Sequence, residues 1–264
     1  RISLDGKWRF QLIRTPKNAP KEWVYNYFDD STWELITVPG SWTRQNKGDH
    51  PHYTNIVMPW EGLEPPEIPE ENPTGLYRKS FDLPLEWKSK RVTIQIEGSE
   101  SMVLLWCNGS FVGMGKDSRL PSEFDLTPYL RNSNNILSVM VPRWSDGTWI
   151  EDQDHWFHGG LHRSVFIESR DPIHISDLNV VADYDSQAQT GRLKAISSIS
   201  ECCEGWFINA RLETLSGKLI EEITNLPIQK QVDGSPLQKL LGAYQFEGLK
   251  SNANFENLNV IPWS

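Results

Sequence analysis

The sequence predicts an all-β chain of two β-sandwiches in tandem. Three observations carry this. Short segments of alternating apolar and polar residues recur at regular spacing, with turn residues between them. An Asn108-Gly109 pair stands between two apolar runs, MVLLWC and SFVGMG, and marks a tight type I′ hairpin, whose central residues both need φ > 0. Arg170-Asp171-Pro172 breaks the pattern, and a second set of short strands follows. The expected domains are residues 1–170 and 171–264.

Taken in order, residues 3–13 place Trp8, Phe10 and Leu12 on one face and Lys7, Arg9 and Gln11 on the other, the pattern of a half-buried strand. PKNAPKEW is a loop, residues 28–33 a short helical turn, and ELITV a strand stopped by Pro39-Gly40. Residues 44–75 carry six prolines and no convincing strand longer than a few residues. A loop of that length in a compact domain is functional, disordered or an arm onto a neighbour; His50, His52, Tyr53, Asn55 and Trp60 favour function, because disordered loops are poor in aromatics. Residues 75–83 and 91–97 alternate again, and then comes the hairpin at Asn108-Gly109. Gly113 and Gly115 predict a bulge or close backbone approach. Asp117, Ser118, Arg119, Ser122, Glu123 and Asp125 then crowd together and require mutual pairing wherever they are buried. NILSVMV and LHRSVFIE are further strands. Beyond residue 171, ISDLNVVADYD, GRLKAISSIS, GWFINARLET, GKLIEEI and AYQFEGL predict a small immunoglobulin-like or fibronectin-like sandwich, with turns at Gly191, Gly205 and Gly217.

Composition narrows the function classes. A net charge of −9 argues against nucleic acid or an anionic membrane as partner. The three cysteines, Cys107, Cys202 and Cys203, are too few for a disulfide framework and lack zinc spacing. No apolar run is long enough to span a membrane, and no signal segment opens the chain, so a cytoplasmic location is expected; targeting information ahead of Arg1 stays open. Twelve tryptophans suit core and interface anchoring, and wide aromatic faces also line sugar sites. Asn108 opens a formal glycosylation sequon, for which a hairpin turn is the simpler reason.

The phrases SLDGKWRF, VPGSWTRQ, PHYTNIVMPW, ENPTGLY, WCNGSFVGMGKDSRLPSEFDLTPYL and RWSDGTWIEDQDHW resemble the N-terminal part of the large microbial β-galactosidases of glycoside hydrolase family 2. The resemblance covers roughly residues 3–170 and continues more weakly to the C-terminus. It implies a jelly-roll sandwich followed by an immunoglobulin-like domain cut before its last strands. It also implies a retaining β-galactosidase whose two catalytic glutamates lie on a later (β/α)8 barrel, so that no catalytic residue is expected here. What this region would supply is the rim of the galactose pocket. Asn55, in Tyr53-Thr54-Asn55, matches an asparagine that hydrogen-bonds the sugar, and Asp154, in Glu151-Asp152-Gln153-Asp154, matches an aspartate that ligates sodium beside the sugar 6-hydroxyl. Taken alone, Asn55 fits a turn residue and Asp154 a salt-bridge partner better than a sugar site. The full-length enzyme would use sodium and magnesium, act on galactosides such as lactose, and form a homo-oligomer.

Asp146 matches a family aspartate at a peripheral magnesium site, but Lys116 replaces the companion glutamine, which favours a Lys116–Asp146 ion pair. The carboxylate clusters Asp117/Glu123/Asp125 and Glu151/Asp152/Asp154 offer no pair that spacing alone places across a glycosidic bond. His155, His158 and His162 have helical spacing, but Gly159-Gly160 discourages a helix, which favours solvated or hydrogen-bonded histidines over metal ligands. The serines lack a nucleophile-elbow context. Two other function classes compete with the hydrolase fragment: a self-sufficient galactose-binding module, and an assembly domain. The reading frame beyond Ser264 distinguishes the first from the others, and galactose affinity separates the last two.

Overall fold

The structure, a computed structural model, describes residues 1–54, 60, 62–151, 154–201, 204–233 and 246–260. It is all-β and divides into two compact units, Arg1–Ser169 and Arg170–Ser264.

The first unit contains β1 (Ile2–Ser3), β2 (Gly6–Ile13), β3 (Glu34–Val38), β4 (His52–Thr54), β5 (Thr74–Phe81), β6 (Arg91–Ile96), β7 (Met102–Cys107), β8 (Ser110–Lys116), β9 (Ser122–Asp125), β10 (Asn135–Pro142), β11 (His155–Phe157) and β12 (Val165–Arg170). A six-stranded sheet of order β3-β2-β5-β10-β7-β8 faces a four-stranded sheet of order β1-β12-β6-β9, and β11 and β4 form a separate two-stranded ribbon. The core lies between the two large sheets. Trp8, Phe10, Ile36, Val38 and Tyr77 come from one and Val92, Ile94, Ile96, Val165 and Ile167 from the other. Period-2 alternation is what sends these side chains inward.

Alternation fails in the central strands β5 and β10, which are buried on both faces over most of their length. The cause is the stretch between β2 and β3. It lays Trp23, Phe28 and Trp33 over the outer face of the six-stranded sheet, against Leu76 and Met140. Arg78 of β5 fastens this cover: its Nε donates to Asp30 at 2.7 Å, and Nη1 donates to the carbonyls of Trp23 and Tyr25. Residues 28–33 hold no helix; Trp33 N closes a single turn on Asp30 O, and Asp29 accepts from Ser31 N.

Asn108 and Gly109 both adopt positive φ, +53° and +88°, as the hairpin requires. The Asn108 side chain is fully engaged, donating to Tyr129 O and Asn135 Oδ1 and accepting from Ile136 N and the Asn26 side-chain amide, so the hairpin accounts for this asparagine. The register of β7 on β8 shifts between Leu105 and Trp106, a bulge at Val112 of β8. A Cβ on Gly113 would lie 2.8 Å from the Phe124 ring, and one on Gly115 would lie 2.0 Å from Ser122 Oγ. The two glycines therefore let the edge strand β8 close onto β9 of the opposing sheet.

The second unit contains β13 (Ile175–Asp185), β14 (Thr190–Ile199), β15 (Phe207–Glu213), β16 (Leu219–Pro227), β17 (Gln229–Asp233) and β18 (Phe246–Leu258), in sheets β13-β14-β18-β17 and β15-β16. Ala253, Phe255 and Leu258 are its buried core, packed by Leu193, Ala195, Ala210, Leu212, Ile223 and Leu226. Gly205 and Gly217 are turn glycines at φ near +80°. Gly191 is not: it lies inside β14, where Val260 occupies the space of a Cβ, and the β13–β14 turn uses Gln189 at φ +54° instead.

Candidate functional site

The long proline-rich loop and the polar segment after Trp144 meet in the β4–β11 ribbon. Its register pairs His155 with Thr54, Trp156 with Tyr53 and Phe157 with His52. Because side chains alternate, Tyr53 and Trp156 share the outward face, each about half exposed, with ring centroids 5.4 Å apart. Asp154 directly precedes β11. It is exposed, and its Oδ1 accepts a 2.5 Å hydrogen bond from the Tyr53 hydroxyl. That bond, with some desolvation, holds the Tyr53 phenol above the ordinary tyrosine range.

The inward face of the ribbon rests on Trp144. Its ring stacks on His52 at 6.0 Å and meets Phe157 edge-on at 5.5 Å; Trp60 packs between Trp144 and Trp149. Asn72 fixes the Trp144 backbone by donating to its carbonyl and accepting from its N–H. Beneath lies a buried polar layer. Arg143 is 1% exposed and donates to Asp49 Oδ2 at 2.5 Å, His50 O at 2.7 Å and Phe157 O at 3.3 Å. Burial lowers its pKa and Asp49 opposes that shift. Asp49 also accepts from Trp42 Nε1 at 2.8 Å and from His50 N. Glu100 is 4% exposed and accepts from His158 N at 3.0 Å and Arg119 at 3.4 Å; burial raises its pKa, and those two donors pull it back.

Of the two residues singled out for the sugar rim, Asp154 stands on this ribbon, and Asn55, which follows β4 in the chain, lies outside the described residues, as does Asp152. Tyr53 is the partner that sequence reasoning left unassigned, although it opens the same Tyr-Thr-Asn phrase. Asp49 and Arg143 were also unassigned; an arginine directly after a buried strand was their one signal. Lys116 Nζ lies 2.8 Å from both Asp146 oxygens and draws the Asp146 pKa down. Glu151 accepts from both the N–H (2.9 Å) and the hydroxyl of Ser118, so it serves as a structural anchor. The charged side chains of the polar cluster pair mostly outward: Arg119 with Glu100 and His155, Asp125 with Arg91. Asp117, at φ +95°, uses its carboxylate to receive Arg119 N and Leu120 N.

The three histidines sit on no helix. His155 belongs to β11, with Nε2 3.3 Å from Arg119; His158 Nδ1 lies 2.9 Å from Thr43 Oγ1; His162 is largely buried, and burial pushes it down to about 4. The glycine pair beside them has a packing reason, since a Cβ on Gly159 would lie 2.1 Å from the Trp42 ring.

Among ion sites, Asp154 fits a hard cation: it is an exposed carboxylate, and its Oδ2 has no hydrogen bond among the described residues. Asp146 does not fit, because an ammonium already occupies it. Among the described residues, no helix is long and apolar enough to cross a membrane.

The family profile described as glycosyl hydrolases family 2, sugar binding domain, matches residues 2–170. A β-galactosidase of Psychromonas ingrahamii is 44% identical over 198 residues, covering 75% of this chain and 19% of the relative. One from Vibrio cholerae is 38% identical over 220 residues, covering 83% of this chain and 21% of the relative. The chain thus spans about a fifth of the length of these relatives. Among solved structures, a Bacteroides uniformis β-glucuronidase superposes with a TM-score of 0.66 at 18% identity, over 99% of this chain and 28% of that one. A Bifidobacterium dentium β-glucuronidase gives 0.66 at 16%, over 99% and 42%. At those identities the superpositions speak for the fold alone. The profile match and the curated relatives together place the chain in glycosyl hydrolase family 2, with residues 2–170 as that family's sugar binding domain.

Proposed function

We propose that this chain is the N-terminal part of a retaining β-galactosidase and that its β4–β11 ribbon forms the rim of a galactose pocket. The observation that carries this is the Tyr53–Asp154 hydrogen bond on an exposed ribbon flanked by Trp156. A sugar offers both hydroxyl groups and apolar C–H faces, and the ribbon offers a carboxylate acceptor beside aromatic rings. Asn55 adds an amide able to donate and accept. Tyr53 holds one Asp154 oxygen in place, and the other is left for a sugar hydroxyl or a cation. Bound sodium would supply fixed positive charge there, with its remaining ligands coming from outside this chain. Magnesium is not assigned to Asp146.

Cleavage needs a proton donor and a carboxylate nucleophile facing one another. Glu151 is committed to Ser118. The family resemblance assigns the catalytic glutamates to a barrel beyond these residues, in the remaining length that the relatives possess. A cytoplasmic location and self-association of the full-length enzyme belong to the same proposal.

The chain alone is expected to give no turnover of a chromogenic β-galactoside with sodium present, and only weak galactose binding, since water competes at a half-formed pocket. In the full-length enzyme, Asn55→Ala and Asp154→Asn are each expected to weaken turnover by roughly 1–3 kcal/mol, with Asp154→Asn also shifting the sodium midpoint. Turnover by the chain alone that vanished in Glu151→Gln would overturn the reading. A self-sufficient galactose-binding module is the competing reading, and the reading frame beyond Ser264 decides between them.

A further inference from the structure

We propose that Arg143, locked by Asp49, is a positioning residue that clamps both strands of the β4–β11 ribbon and so sets the Tyr53–Asp154 geometry. This rests on the reading of Asp154 as a pocket residue. The ribbon has only three residue pairs, from strands about a hundred residues apart, and an isolated two-stranded ribbon is marginal in water without outside support. A slip of one residue would turn Tyr53 and Trp156 to the inner face. Something beneath must therefore hold the register.

Arg143 is built to do so. It follows β10, the strand buried on both faces, so its backbone is anchored in the rigid six-stranded sheet. Its Nη2 reaches the carbonyl of His50, two residues ahead of β4, and that of Phe157, the last residue of β11. One guanidinium thus ties the entry of one strand to the exit of the other. Nη1 meets Asp49 Oδ2, which is itself held by Trp42 Nε1, and Asp49 Oδ1 receives His50 N. The guanidinium also lies 4.9 Å from the centre of the Trp144 ring, on which His52 and Phe157 rest. A planar fork with several fixed donors suits this task; a lysine ammonium is a point charge on a flexible stem and cannot span the same acceptors. An ordinary structural ion pair needs only Asp49. The two carbonyl contacts, one just ahead of β4 and one at the end of β11, make this pair a clamp.

The test uses the 264-residue chain with Arg143→Lys and, as a second variant that keeps shape and an acceptor oxygen, Asp49→Asn. Hydrogen–deuterium exchange is read in segments covering 49–54 and 154–158 and in the reference strands β5 and β10. Exchange in the ribbon segments is expected to rise at least tenfold while β5 and β10 keep their protection, and the Tyr53 phenol titration is expected to fall back toward the ordinary tyrosine range. Unchanged ribbon exchange, or an equal rise in β5 and β10, overturns the clamp. Should both variants fail to fold, NMR of the wild-type chain decides. Separately resolved, slowly exchanging Arg143 guanidinium protons support the clamp, and a freely rotating guanidinium overturns it. Galactose titration of the full-length enzyme and of its Asp154→Asn variant, with sodium present, tests the pocket reading separately. Equal affinity of the two sinks that reading and leaves exchange to judge the clamp.

Discussion

Tyr53 and Asp154 are 101 positions apart in sequence and share one short hydrogen bond. Removing the phenol hydroxyl leaves the carboxylate without its orienting donor while keeping the aromatic face against Trp156. Tyr53→Phe in the full-length enzyme is therefore expected to weaken galactose affinity by roughly 0.5–1.5 kcal/mol, the net worth of one hydrogen bond, with stability within about 0.5 kcal/mol of wild type. Affinity equal to wild type by calorimetry would remove Tyr53 from the site. His162 gives a pH signature. Burial pushes it down to about 4 from the ordinary 6.5, so the folded chain refuses a proton that the unfolded chain accepts. Its contribution to stability is full above about pH 6.5 and is lost as the pH falls toward about 4. Glu100, raised by burial, acts in the opposite sense, gaining stability as it takes up its proton. The comparison must therefore be with a variant. Between pH 7 and pH 4, urea unfolding is expected to show wild type losing roughly 1–3 kcal/mol more than His162→Gln. Parallel pH profiles would contradict the assignment.

At the scale of elements, β8 shows how two glycines close a sandwich. Gly113 and Gly115 face Phe124 and Ser122 of β9, and neither position has room for a methyl group. Gly115→Ala places a Cβ 2.0 Å from Ser122 Oγ, so either that side chain or the edge strand must move. The expected cost is about 1–3 kcal/mol, the range for overpacking. Gly115→Ala combined with Ser122→Ala, which removes the obstructing oxygen, is expected to recover part of that loss. Equal denaturation midpoints for wild type and the single variant would show that β8 is not held against β9. The cover over the outer face of the six-stranded sheet belongs to the same scale. It is held by aromatic packing and by Arg78 on Asp30, and it explains why β5 and β10 are buried on both faces although residues 75–83 alternate in sequence.

Across the whole chain, the two units differ in how much they bury. The first has an extended core from Trp8 to Ile167, whereas the buried cluster of the second consists, among the described residues, of Ala253, Phe255 and Leu258. Ile175, Leu178, Val180 and Val181 of β13 remain exposed, and an apolar groove of about 320 Å3 runs between the sheets of the second unit. Less burial means less stabilisation per residue, and long exposed edges open first. Limited proteolysis is expected to digest the second unit and leave a resistant fragment ending near Ser169. Equal resistance of both units at matched protease would contradict this.

Local pattern alone determined the all-β class, the Asn108-Gly109 hairpin, and the strands at residues 6–13 and 91–96, because period-2 alternation and φ > 0 demands are properties of adjacent residues. The Lys116–Asp146 pair was legible from charge and motif together. Tertiary structure decided the rest. Nothing near Arg143 in sequence announces Asp49, His50 and Phe157 as its partners, and nothing near Glu151 announces Ser118, since these contacts join loops from different strands. Gly191 looked like a turn residue and proved to be a packing residue, because what crowds it is Val260, far along the chain. Composition and periodicity report which face of a segment is apolar. Which polar groups that face brings together depends on how the strands are ordered in the sheets, and only the fold sets that order.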